Sequence, residues 1–69
     1  MLKKIRDGVV IQTSKINYLV IDEDPEEDEF PVVVNACFDS GDVIPLEWFA
    51  TKFDAEKYLE NFVAEINQR

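Results

Sequence analysis

The sequence predicts an α+β fold, a small antiparallel sheet in the order β-β-β-β-α with one C-terminal amphipathic helix packed on one face. Three observations lead there. Short β-branched runs are separated by turn residues in the first two thirds of the chain. A helical repeat of apolar residues follows over the last 15 or so positions. The 69-residue length leaves room for one small domain spanning 1–69.

Val9-Val10-Ile11-Gln12-Thr13 is the first predicted strand, bounded upstream by Asp7-Gly8. Ser14-Lys15 stands as a tight turn, although it lacks the Asn-Gly or Gly-X chemistry that favours a two-residue hairpin. Ile16 to Ile21 is the second strand. The run 22–29, Asp-Glu-Asp-Pro-Glu-Glu-Asp-Glu, cannot be core and is an acidic inter-strand loop, or a strand extension that Pro25 must end for lack of an amide donor. Phe30 to Phe38 is the third and most apolar strand. Asp39-Ser40-Gly41-Asp42 is a turn, with Gly41 free to take a positive φ. Val43 to Phe49 is the fourth strand, placed at an edge by Pro45. If it alternates, Ile44, Leu46 and Trp48 face the core, and Val43 and Phe49 face away.

The helix follows from periodicity. With Leu59 as reference, Ala55, Phe62, Val63 and Ile66 fall within about 40–60° of it at 100° per residue. Glu60, Lys57, Asn61 and Glu65 lie on the other side. Thr51 with Asp54 three residues on resembles a capping box, and Asp54 as the cap, with Phe53 packed on Tyr58, is the competing start. Either start places Asp54 and Glu56 in the first turn, where the helix dipole favours acids.

Charge sorts the function classes. Seven Lys+Arg against fifteen Asp+Glu give a net charge of -8 and a pI near 4.2. That balance opposes direct binding to nucleic acid or an anionic membrane, both of which require positive charge. The absence of His excludes Ser-His and Cys-His catalysis and His-ligated metal sites. Cys37, one thiol among Val32, Val33, Val34, Ala36 and Phe38, is expected to be buried and inert. Met1 to Gly8 starts with two lysines like a signal peptide, but Arg6 and Asp7 interrupt any apolar stretch. No apolar run approaches the roughly 20 residues of a membrane span. The expected setting is therefore the cytoplasm of a cell or of an infected host.

The charge is unevenly placed. Residues 1–21 carry +3, residues 22–29 carry -7, residues 30–38 are neutral and residues 39–69 carry -4. A solvated loop kept acidic for solubility is the simplest explanation of such a block. Its position between two strands, where like charges repel beside a small fold, is the argument for the second reading, a partner-binding surface. Fully extended, eight residues span roughly 26 Å, so the seven charges lie about 3.8 Å apart. Phosphates along one DNA strand lie about 3.4 Å apart. Asp22, Glu23, Asp24, Glu26, Glu27, Asp28 and Glu29 are thus the candidate partner-binding residues, with Phe30, Phe49 and Phe53 as candidate apolar anchors.

Asp22, Asp24 and Glu26 alternate as hard oxygen ligands do, but the run lacks the glycine and the length of a calcium-binding loop, so no metal is assigned. Carboxylates in an exposed run lack the burial that sets acid–base pairs apart. No catalytic residue and no cofactor are assigned. In size, acidity and single-domain build, the chain is similar to the short acidic DNA-mimic proteins of phages and mobile elements, anti-CRISPR proteins among them. That similarity implies a non-enzymatic inhibitor or modulator of a basic, nucleic-acid-handling protein. A small antitoxin facing a basic toxin has the same signature. The alternative is a homodimeric assembly module that uses an apolar open sheet face, since Ile16, Tyr18 and Val20 alternate with the apolar Leu19 and Ile21.

Overall fold

In the computed structural model, which describes residues 2–67, five strands and one helix follow in the order β1 (Leu2–Arg6), β2 (Val9–Gln12), β3 (Ile16–Glu23), β4 (Val32–Phe38), β5 (Val43–Phe49) and α1 (Lys52–Ile66). The α+β class and the C-terminal helix on the sheet agree with the sequence. The strand count does not, because β1 is an additional strand. The strands also divide into two antiparallel sheets, a β1–β2 hairpin and a three-stranded sheet in the order β3-β4-β5. Asp7-Gly8 makes the hairpin turn between the paired Arg6 and Val9, with Gly8 at φ 82°. Of the pair, Gly8 alone takes the left-handed backbone, at no steric cost, and the register shifts by one residue between Lys4 and Arg6. What the sequence places as a Ser14-Lys15 hairpin turn is a 3-10 turn over Thr13–Lys15, which carries the chain out of the hairpin and into the larger sheet.

β4 is central and the most buried strand, and Pro45 sits on an edge strand as its missing donor requires. β4 and β5 are out of step by one residue: Asn35 opposes Pro45, whereas Val34 opposes Glu47. Leu46 is the extra residue, a β-bulge that reverses the side-chain alternation beyond it. Leu46 stays in the core at 2% exposed, but Trp48 turns to the outer face opposite Val33 and is 44% exposed. The expectation of a core Trp48 and an outward Phe49 is therefore inverted. Phe49 opposes the buried Val32 and packs on Tyr58 at 5.4 Å between ring centroids.

The core joins Val32, Val34, Ala36 and Leu46 of the sheet to Ala55 and Phe62 of α1 and Ile11 of the hairpin. Helix formation begins at Thr51, whose side chain accepts from the Asp54 amide at 3.2 Å, which decides between the two possible starts. Leu59 and Ile66 are partly buried on the predicted stripe. Val63 is the exception: it remains 39% exposed, and no strand among the described residues lies beyond β3 to cover that side of the helix. Lys3 closes the opposite side, pairing with Glu65 and resting 5.5 Å from the Phe62 ring centroid.

A candidate acidic binding surface

The acidic segment divides between two elements. Asp22 and Glu23 complete β3, opposite Val33 and Val32, so the connection proper begins at Asp24. The Asp24 amide donates to the Pro31 carbonyl at 2.7 Å, extending the ladder by one step. The chain then folds back on itself. The Glu27 amide donates to the Asp24 carbonyl at 3.1 Å, and the Asp24 side chain accepts from the Glu26 amide at 3.0 Å, an Asx turn around Pro25. The extended ribbon that would match phosphate spacing is thus replaced by a turned, knob-like loop. Hydrogen bonding of the Asp24 side chain to the backbone two residues on is what bends it.

All seven carboxylate residues of the segment are exposed. The Asp22 side chain accepts from the Asn35 amide group at 2.8 Å across the open sheet face. No ion pair connects any of the seven to a Lys or Arg among the described residues, where the two ion pairs are Lys3–Glu65 and Lys4–Asp7. No group of three or more metal-ligating side chains gathers among the described residues. The loop is a concentration of negative charge without a basic partner among the described residues, held by two backbone hydrogen bonds and by the Asp22 and Asp24 side chains.

The candidate anchors part company. Phe30 precedes β4 instead of opening it and is exposed. With Glu27, Glu47 and Trp48 it lines a shallow depression of about 470 Å³ beside the loop. Phe49 is withdrawn into the core margin by the bulge and is not a surface anchor. Phe53 is exposed on the first turn of α1, covered only by the Lys57 ammonium 5.4 Å from its ring centroid. Trp48 is the surface aromatic that strict alternation misplaced. The signal that could have found it is Pro45, since proline and bulges recur together at sheet edges.

Tyr18 lies opposite Cys37 on the open face and hydrogen-bonds it, which, with the nearby thiol and Asp22, holds the phenol above its ordinary pKa. Cys37 is buried as expected, but beneath Tyr18 and Val43 on the open face instead of in the helix-side core. Tyr58 also titrates above its ordinary value, chiefly through burial and then through Glu47 and Glu65, with Arg6 opposing.

Comparison with protein-family models, with curated proteins and with solved structures finds no match. None of the helices among the described residues is long and apolar enough to cross a membrane.

Proposed function

We propose that this chain is a non-enzymatic acidic binding module that inhibits or modulates a basic, nucleic-acid-handling protein in the cytoplasm. What supports the reading is the loop itself: Asp22 to Glu29 present seven exposed carboxylates with no ion-pair partner among the described residues. A cluster of this kind accelerates encounter with a positive surface. Phe30 and Trp48, beside the loop, supply the apolar contact that holds a partner once steered.

The test is to replace Asp22, Glu23, Asp24, Glu26, Glu27, Asp28 and Glu29 by Asn or Gln. Partners captured by the native chain at low salt are then measured against both forms across a salt series. Association should slow by tens to hundreds of fold on neutralisation, and should weaken with salt for the native chain as the screening length falls to about 8 Å. Unchanged binding without a salt slope makes the loop a solubility device.

A second reading is favoured by the open face of the three-stranded sheet. Tyr18, Val43 and Trp48 stand exposed on it. In that reading two copies pair through this face. Sedimentation at micromolar concentration separates the readings, with twice the 8.0 kDa chain mass expected for the dimer.

A further inference from the structure

We infer that the outer edge of β3, with the groove between it and α1, takes up an extended segment of a partner as a fourth strand, the segment alternating apolar and basic residues. This goes beyond the acidic loop, since the edge and the groove would remain if the loop were neutral.

The backbone makes the first half of the case. β3 is an edge strand eight residues long, and no strand among the described residues pairs with its outer side. Its register with β4 runs without a break from Tyr18–Cys37 to Glu23–Val32, and the Asp24 amide bond to Pro31 continues it. Hydrogen-bonded positions alternate in an antiparallel ladder, so Tyr18, Val20 and Asp22 bond toward β4. Leu19, Ile21 and Glu23 turn their amides and carbonyls outward, a row left to solvent that another strand can pair with.

The groove makes the second half. Ile16, Tyr18 and Leu19 of β3 and Leu59, Val63 and Ile66 of α1, with Thr13 and Asn17, line an open, mostly apolar depression of about 350 Å³. Three strands span only about 10 Å between the outer two, close to the width of one helix with its side chains. The hairpin closes the β5 side of α1 through Lys3 and Arg6, and no strand among the described residues closes the β3 side. A strand added to β3 would lie beneath Val63. Every second side chain of it would enter the groove, as the period of a strand requires.

Charge chooses the occupant. Glu56 and Glu60 precede Leu59 and Val63 by three positions and so flank the groove on the helix. Asp22 and Glu23 end the strand, while Lys15 and Lys52 stand near the two ends. The surroundings are acidic and the chain carries -8, so a second copy is repelled and a basic segment attracted.

The probe is a short synthetic peptide alternating lysine and valine, titrated into the labelled protein and followed by NMR. A control peptide alternates lysine and serine. The Leu19, Ile21 and Glu23 amides and the Val63 methyls are expected to shift, with a dissociation constant of about 1 mM or tighter. Two variants test the geometry. E23P removes an outward donor without breaking the ladder to β4. V63R fills the groove from an exposed position and adds a like charge. Each should weaken the valine peptide by about tenfold or more with melting unchanged. Neutralising Asp24, Glu26, Glu27, Asp28 and Glu29 should leave the shifted residues the same, so failure of the loop reading and failure of this one are distinguishable. The inference is overturned by equal affinity for the serine peptide, by shifts confined to residues 24–29, or by no binding at millimolar peptide. A concentration-dependent dimer abolished by E23P also overturns it, making a second copy the occupant.

Discussion

The Arg6 guanidinium stands 5.6 Å from the centroid of the Trp48 ring, and from the same position it donates to the Pro45 carbonyl at 3.0 Å and more weakly to that of Leu46. One side chain from the N-terminal hairpin thus satisfies the carbonyls exposed by the bulge and rests against the tryptophan that the bulge turned outward. It is the covalently distant contact that ties the two sheets together on the β5 side.

Arg6→Ala should therefore destabilise the fold by about 1.5 kcal/mol, the scale of a hydrogen bond to a charged group. For a chain of this size that lowers the melting temperature by several degrees, roughly 6–12 °C. Arg6→Lys should restore only part of it, since an ammonium can reach the two carbonyls that one guanidinium nitrogen now serves but lacks the planar group that also rests against the Trp48 ring. A melting curve of Arg6→Ala that overlies the native one would remove the guanidinium from any structural role.

Along the helix, side-chain truncation should rank by burial. Phe62→Ala, at a position 2% exposed, should cost about 3–5 kcal/mol. The partly buried Leu59 should lose less, about 2 kcal/mol, on conversion to Ala. Val63→Ala should stay within about 0.5 kcal/mol, as for other exposed positions. Denaturant melts of the three variants give the ranking directly, and a Val63→Ala loss equal to that of Leu59→Ala would contradict it.

Neutralising the loop should raise thermal stability at low salt, because it removes self-repulsion without removing an ion pair. The difference between native and neutralised chains should shrink as salt rises. Loss of stability on neutralisation, at any salt, would mean that these carboxylates hold the loop through contacts other than the Asp22 and Asp24 hydrogen bonds.

Alkaline pH provides a test of Tyr58. Its folded pKa lies above the ordinary value of 10.0, so the folded chain holds the phenolic proton more tightly than the unfolded one. The sign is fixed: stability is indifferent to this group below about pH 10 and falls as pH rises above that, through the folded pKa. Tyr58→Phe keeps the rings beside Phe49 and Phe62 and should flatten part of that decline. Tyr18 contributes in the same direction, so Tyr18→Phe in addition should flatten it further. An unaltered alkaline decline in the double variant would assign it elsewhere.

Cys37 is 8% exposed beneath Tyr18. Tyr18→Ala should speed modification of the thiol by a water-soluble disulfide reagent, while Leu59→Ala, on the other face, should do so only through global unfolding. Equal rates in native and Tyr18→Ala chains would place the cover of the thiol elsewhere.

What was legible in the sequence was whatever depended on neighbours along the chain. The stripe of Ala55, Leu59, Phe62 and Ile66 announces a helix by its period, Thr51 announces its start, and Gly41 with φ 94° makes the expected turn. The block of acids at 22–29 is visible without any structure, because charge density is a local property. The Asp7-Gly8 hairpin was also local, but Leu2 to Arg6 interleaves three charges with two apolar residues and resembles a leader more than a strand. Its pairing with β2 supplies the hydrogen bonds that its composition does not advertise.

The remainder was decided only by the tertiary structure. A strand's alternation is a property of its pairing, and one extra residue at Leu46 exchanges the faces of Trp48 and Phe49 with no local mark stronger than Pro45. Val63 belongs to the apolar stripe by angle, yet it is exposed because the sheet ends at β3, a boundary no helical period encodes. The acids stand in an unbroken run, but the Asp24 side chain and the Pro31 carbonyl fold that run into a knob instead of a ribbon. Sequence determines which side chains seek burial and which seek water. Which of them obtain it is set by strand register and by where each sheet stops, and both arise from contacts between residues far apart along the chain.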